Sequence, residues 1–101
     1  MKALFITPQS QSIELVDVNS QDDIKDLIGF DTIISDEIGS DGDCLFFDED
    51  CFLRSTEGRF QIDTLVPVAG NALIVGSKGD GATLSDVNLD IDELKRRIKY
   101  L

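Results

Sequence analysis

The sequence has no histidine, only two cysteines and no long apolar run, and each shortage removes a class of function. Without imidazole the chain lacks the one side chain that ordinarily titrates near neutrality, so a Ser or Cys nucleophile would need a different activator. Cys44 and Cys51 are too few for a disulfide framework, and their spacing fits neither a CxxC redox pair nor half of a zinc site. They either face each other across a hairpin or, the favoured reading, are reduced thiols in the core. The opening run Met1 to Ile6 is shorter than the core of a signal peptide, and no segment approaches the roughly 18 apolar residues of a membrane helix. The expected compartment is the cytoplasm.

Basic residues are also scarce. Nine Lys and Arg stand against twenty Asp and Glu, giving a formal charge of -11. Neutralising phosphates requires cations in excess, so direct nucleic-acid binding is not expected. An acidic chain suits solubility, a basic partner or divalent cations. With 101 residues, 42% of them hydrophobic and 29% charged, the chain has the make-up of one globular domain, 1–101, rather than of a disordered segment.

The pattern along the chain predicts an α+β fold: a small, mostly antiparallel or mixed sheet of about five to seven strands, a short helix after the second strand and a C-terminal helix. Ala3 to Thr7 and Ser12 to Val18 read as a hairpin around Pro8 and a polar turn. Ser20 and Asp23 have capping-box spacing, Gly29 is placed to end a helix, and Ile24, Leu27 and Ile28 form its apolar face. Phe30 to Ile38, Cys44 to Phe47 and Cys51 to Arg54 read as consecutive strands separated by tight turns. Phe60 and Ile62 form a brief extended piece, and Thr83 to Asn88 a last short strand or turn. Asp90 with Glu93 spaces a second capping box, followed by a stripe of Ile91, Leu94, Ile98 and Leu101. The organising element is Val66 to Gly76: uncharged, fenced by Pro67 and glycines, with a doubly buried strand at its core and a bend at Gly70.

Three features invite a ligand. Asp36, Glu37, Asp41, Asp43, Asp48, Glu49 and Asp50 place seven carboxylates within fifteen residues. An EF-hand loop also needs Gly at its sixth position and Glu at its twelfth, and no register supplies both with alternate ligands, so solvated turns are the expected reading. The loop from Gly76 to Gly81, with Lys78 and Asp80, follows a strand but lacks the Gly-Lys-Ser/Thr ending and following helix of a phosphate loop. Lys95, Arg96, Arg97 and Lys99 gather at the end of the last helix, where the dipole favours cations. Every Asp and Glu falls in a turn, a cap or a wet strand face, with no burial to raise a pKa for acid or base work. The chain is therefore expected not to be an enzyme, and to use no cofactor.

The opening Met1 to Pro8, the turn Asp48-Glu49-Asp50 and above all Gly70-Asn71-Ala72-Leu73-Ile74-Val75-Gly76 before a Gly-rich loop resemble a family of short bacteriophage and bacterial proteins, catalogued as a domain of unknown function. Phe46-Phe47-Asp48, Gly58-Arg59-Phe60 and Pro67 to Asn71 look most like members from phages of marine cyanobacteria. The resemblance implies a setting, the cytoplasm of an infected or phage-carrying bacterium, and assigns no residue a role. It points to an acidic interaction protein that binds and modulates a basic host or phage protein. The partner surface would be Asp36, Glu37, Asp41, Asp43, Asp48, Glu49 and Asp50. Alternatives are a small-molecule or divalent-metal binding domain, with Lys78 and Asp80 as a candidate loop, and a DNA mimic whose ordered carboxylates imitate phosphates.

Overall fold

The computed structural model describes residues 1–38, 42–77 and 83–101. The chain runs β1 (Lys2–Thr7), β2 (Ser12–Asp17), α1 (Gln21–Ile28), β3 (Ile33–Ile38), β4 (Asp43–Asp48), a 3-10 turn (Cys51–Leu53), β5 (Arg59–Ile62), β6 (Val68–Ala69), β7 (Ala72–Ser77), β8 (Leu84–Ser85), α2 (Ile91–Arg97) and β9 (Ile98–Tyr100). The fold is α+β, and every strand pair is antiparallel. The strands divide between a six-stranded sheet, in order β2-β1-β7-β4-β3 with β8 beside β7, and a three-stranded sheet, β6-β5-β9.

All six residues of β7 are buried, because the strand is covered on both faces. Alternation sends Leu73 and Val75 to one side, where they meet Ala3, Cys44, Phe46 and the α1 residues Ile24 and Ile28. Ala72 and Ile74 point the other way, onto Leu4, Ile6, Leu45 and Phe47, and onto Phe60, Ile62 and Val68 of the small sheet and Leu94 of α2. The result is three layers: α1, the large sheet, then the small sheet with α2.

α1 has eight residues, fewer than an isolated helix needs to persist in water, so its packing and caps must hold it. Ile24 and Ile28 are buried, each contributing about 1.5–3 kcal/mol on the scale of apolar area. The Ser20 side chain accepts from the Asp23 N–H, Asp23 accepts from the Asn19 N–H at 2.8 Å, and Gly29 closes the helix at φ 93°. The capping residues are those the spacing predicts.

Three expectations are corrected. Cys51 to Arg54 is not a strand: the buried Asp48 side chain accepts from the Asp50 N–H at 3.1 Å, the Leu53 N–H returns to Asp50 O at 2.8 Å, and this local bonding closes a 3-10 turn instead. The C-terminal helix ends at Arg97, and Ile98 to Tyr100 then pairs with β5 as β9, so Ile98 packs inward from a strand and Leu101 lies exposed. Asp90 stands at the cap position of α2 but its side chain makes no capping bond. The bend at Gly70, φ 78°, is larger in consequence than a bulge, because it carries the chain from β6 in the small sheet to β7 in the large one. Cys44 and Cys51 lie in different core clusters, on opposite faces of the large sheet, as free buried thiols rather than a hairpin pair. Burial pushes the Cys44 thiol up.

Two glycines differ in a way that substitution reads out. Gly58, φ 86°, lies against the β1–β2 turn, where a Cβ would sit 2.4 Å from the Gln9 nitrogen. Gly29 has a similar φ but open space around it. Gly29→Ala should cost about 1–2 kcal/mol from left-handed strain alone. Gly58→Ala should cost roughly 2–5 kcal/mol, since overpacking against backbone adds to the same strain. Urea unfolding midpoints at unchanged m value measure both.

Candidate functional site

The acidic segment is organised by the two ends of β4. Asp43 and Asp48 open and close that six-residue strand, about 17 Å apart at strand rise, and both are buried, at 4% and 2% exposure. Asp43 accepts from the backbone N–H of Asn88 and of Leu89, each at 2.8 Å, and from Asn88 Nδ2 at 3.3 Å. It thereby holds the chain entering α2 against the large sheet.

Asp48 is the centre of a second network. Its Oδ1 accepts from the Thr32 hydroxyl and the Asp50 N–H, and its Oδ2 accepts from Arg54 Nε at 3.0 Å. Arg54 Nη2 also donates to Thr32 Oγ1 at 3.0 Å, and the guanidinium lies 4.5 Å above the Phe30 ring. Burial alone would push the Asp48 carboxyl up. The hydrogen bonds from Thr32, Arg54 and the Asp50 backbone, with the Arg54 charge, outweigh it and hold the carboxyl below the ordinary aspartate value.

The seven carboxylates grouped by sequence therefore separate. Asp43 and Asp48 are interior, which corrects both their place on a partner surface and the expectation that no acid is buried. Asp36, Glu37 and Glu49 are exposed and Asp50 is half-buried. Asp41, Lys78 and Asp80 lie outside the described residues. Among the described residues β3 has β4 as its single sheet neighbour, so Asp36 and Glu37 stand on an edge strand. Ile38 packs in the cluster shared with the small sheet and Ile33 against the α1 cluster, so alternation points Asp36 and Glu37 to opposite sides of that edge. The Glu49 N–H donates to Thr32 O at 2.7 Å, which fastens the β4 turn to the start of the same edge. Among the described residues no group of three His, Cys, Asp or Glu is placed to hold a metal ion.

At the C-terminal end of the basic helix, Arg97 is paired: its Nε donates to Asp63 Oδ2 at 2.9 Å, and this hydrogen bond and charge hold the Asp63 carboxyl down. Lys95, Arg96 and Lys99 are exposed.

One surface was not anticipated. On the outer side of the small sheet, Phe52, Thr56, Glu57, Gly58, Arg59, Pro67 and Leu101 line a cleft of about 640 Å³. The Arg59 guanidinium lies 5.4 Å from the centre of the Phe52 ring, and the Leu101 N–H donates to Arg59 O at 2.9 Å. Leu53 and Val66 adjoin the lining residues in sequence, with Leu53 81% exposed. Reading Cys51 to Arg54 as a strand and Leu101 as part of a helical stripe hid this surface. The adjacent apolar pair Phe52-Leu53, set between an acidic turn and Arg54-Ser55, was the signal for it.

No protein-family model, no curated protein and no solved structure matches this chain.

The two buried carboxylates give separate tests. Asp48 is held below its unfolded value, near 3.9, so its stabilisation is complete above that pH and is lost as pH falls through the folded value. Asp48→Asn should therefore flatten the fall in unfolding free energy below about pH 4 and lower stability at neutral pH by roughly 1–3 kcal/mol, the cost of weakening charge-assisted hydrogen bonds to a buried group whose cationic partner Arg54 stays in contact with solvent. Asp43→Ala removes the acceptor of the Leu89 N–H and should cost roughly 1–3 kcal/mol, with faster hydrogen exchange at Leu89.

Proposed function

We propose that this chain is a non-enzymatic interaction protein that binds a basic partner protein through the acidic edge formed by β3 and the turn after β4. The observation that carries the reading is the layout of charge on that edge. Asp36 and Glu37 project to its two sides, Glu49 is fastened to its start, and the nearby cation Arg54 is spent on the interior Asp48. An edge strand with carboxylates repels another copy of itself while leaving backbone groups and negative charge for a cationic chain. On the resemblance noted in the sequence, the proposed setting is a bacterial cytoplasm and the proposed partner a host or phage protein.

The geometry gives less support to the alternatives. A metal site built on the acidic turns would need their carboxylates to converge, and Asp43 and Asp48 point into separate networks at opposite ends of β4. A DNA mimic needs its carboxylates on one face. Here exposed acids occupy both edges of the large sheet, with Glu14 and Asp17 on β2 and Asp36 and Glu37 on β3, and the first turns of helices on its two sides.

Capture from a bacterial lysate tests the proposal. The wild-type chain should retain a basic protein at low salt and less of it at moderate salt, and the triple variant Asp36→Asn, Glu37→Gln, Glu49→Gln should lose most of that capture while keeping its melting temperature. Retention of nothing above background at either salt concentration would sink the idea.

A further inference from the structure

We infer that the outer face of the small sheet is a self-association surface, on which a second copy of this chain docks about a twofold axis.

Six large apolar side chains are exposed among the described residues, and four of them, Phe52, Leu53, Val66 and Leu101, line the cleft on this face or adjoin its lining residues. Single exposed apolar residues are ordinary on a soluble protein, but Phe52 and Leu101 share one cleft, with Leu53 and Val66 next to its lining residues in sequence, and exposed apolar side chains gathered about a cleft mark an interface. The occupant follows from charge. A partner carrying -11 is repelled by the acidic edges β2 and β3 and by the acidic first turns of both helices. The small sheet differs. Phe60, Ile62, Ile98 and Tyr100 point inward, so alternation turns Arg59 and Lys99 outward, and the cleft contributes one acid, Glu57. A second copy therefore meets less repulsion here, where apolar side chains are concentrated, than at the acidic edges and helix starts.

The same cleft holds both members of a reciprocal ion pair. In a twofold contact each patch meets itself, so Arg59 of one copy can face Glu57 of the other and the reverse. Phe52 and Arg59, stacked on one another, belong to the residue types that anchor interfaces. Because the two copies repel at long range, added salt should strengthen this association. That is the opposite of its effect on capture of a basic partner, so the two surfaces can fail or succeed separately.

Analytical ultracentrifugation of the full chain tests the inference. The wild type should sediment as a concentration-dependent dimer that tightens with salt. Leu53→Asp, at a side chain already in solvent, should weaken it at least about tenfold, while Leu15→Asp on the β2 edge should leave it unchanged. Glu57→Arg and Arg59→Glu should each weaken the dimer, and the double variant should recover it. A wild type that stays monomeric at the highest soluble concentration overturns the inference. So does a dimer that survives Leu53→Asp, one abolished by Leu15→Asp, one that salt dissolves, or a charge swap that fails to restore what the single changes lose.

Discussion

β7 is buried on both faces, and most of the architecture follows from that constraint. A strand carrying Ala72, Leu73, Ile74 and Val75 in succession exposes apolar surface to both sides of its sheet, so each side needs its own cover. The cover is unequal. One side receives a single eight-residue helix anchored by Ile24 and Ile28, while the other receives a second sheet and α2. Gly70 makes the second possible, because a left-handed residue between β6 and β7 lets one short stretch contribute to both layers.

The acids then divide by the same geometry. β4 lies beside β7 and is buried along its whole length, so the carboxylates at its two ends are drawn inside with it. A buried carboxylate is tolerated only when its oxygens are occupied, and each is met by its own group of donors: backbone amides before α2 for Asp43, and Thr32 with Arg54 for Asp48. An acidic turn in sequence therefore becomes two structural clamps and an exposed remainder. That remainder is the part with charge available to a partner.

Much of the fold was legible because its signals are local. The Ser20 to Asp23 spacing, Gly29, the alternation in β1 and β2 and the apolar block of β7 each act within a few residues, and each element stands where its pattern placed it. The failures come from bonds that an apolar pattern does not display. Cys51 to Arg54 has strand composition, but a side chain three residues earlier supplies bonds that bend it. Ile98 to Tyr100 continues a helical stripe, but the β5 edge offers a ladder and Phe60 an inward neighbour. A side-chain bond within the turn overrode the pattern in the first case, and a tertiary partner in the second. Composition likewise counted Asp43 and Asp48 among surface charges, since burial depends on the strand beside them and not on the residue itself.

The cleft and the buried aspartate are one construction. Asp48 accepts from the Asp50 N–H and binds Arg54, fixing both ends of the turn between them. Cys51 is turned into the core and Phe52 and Leu53 are turned out, so the apolar pair is presented to solvent by a carboxylate lying on the other side of the backbone. Arg59 then covers the Phe52 ring from the neighbouring strand. A chain under pressure only to be soluble would have little use for an ordered ion pair that holds a phenylalanine and a leucine outward, because a polar residue at either position would satisfy the same turn. The bonding that shapes the turn stabilises the fold, while the side chains it exposes do not, and that separation is what marks the surface as a place of contact.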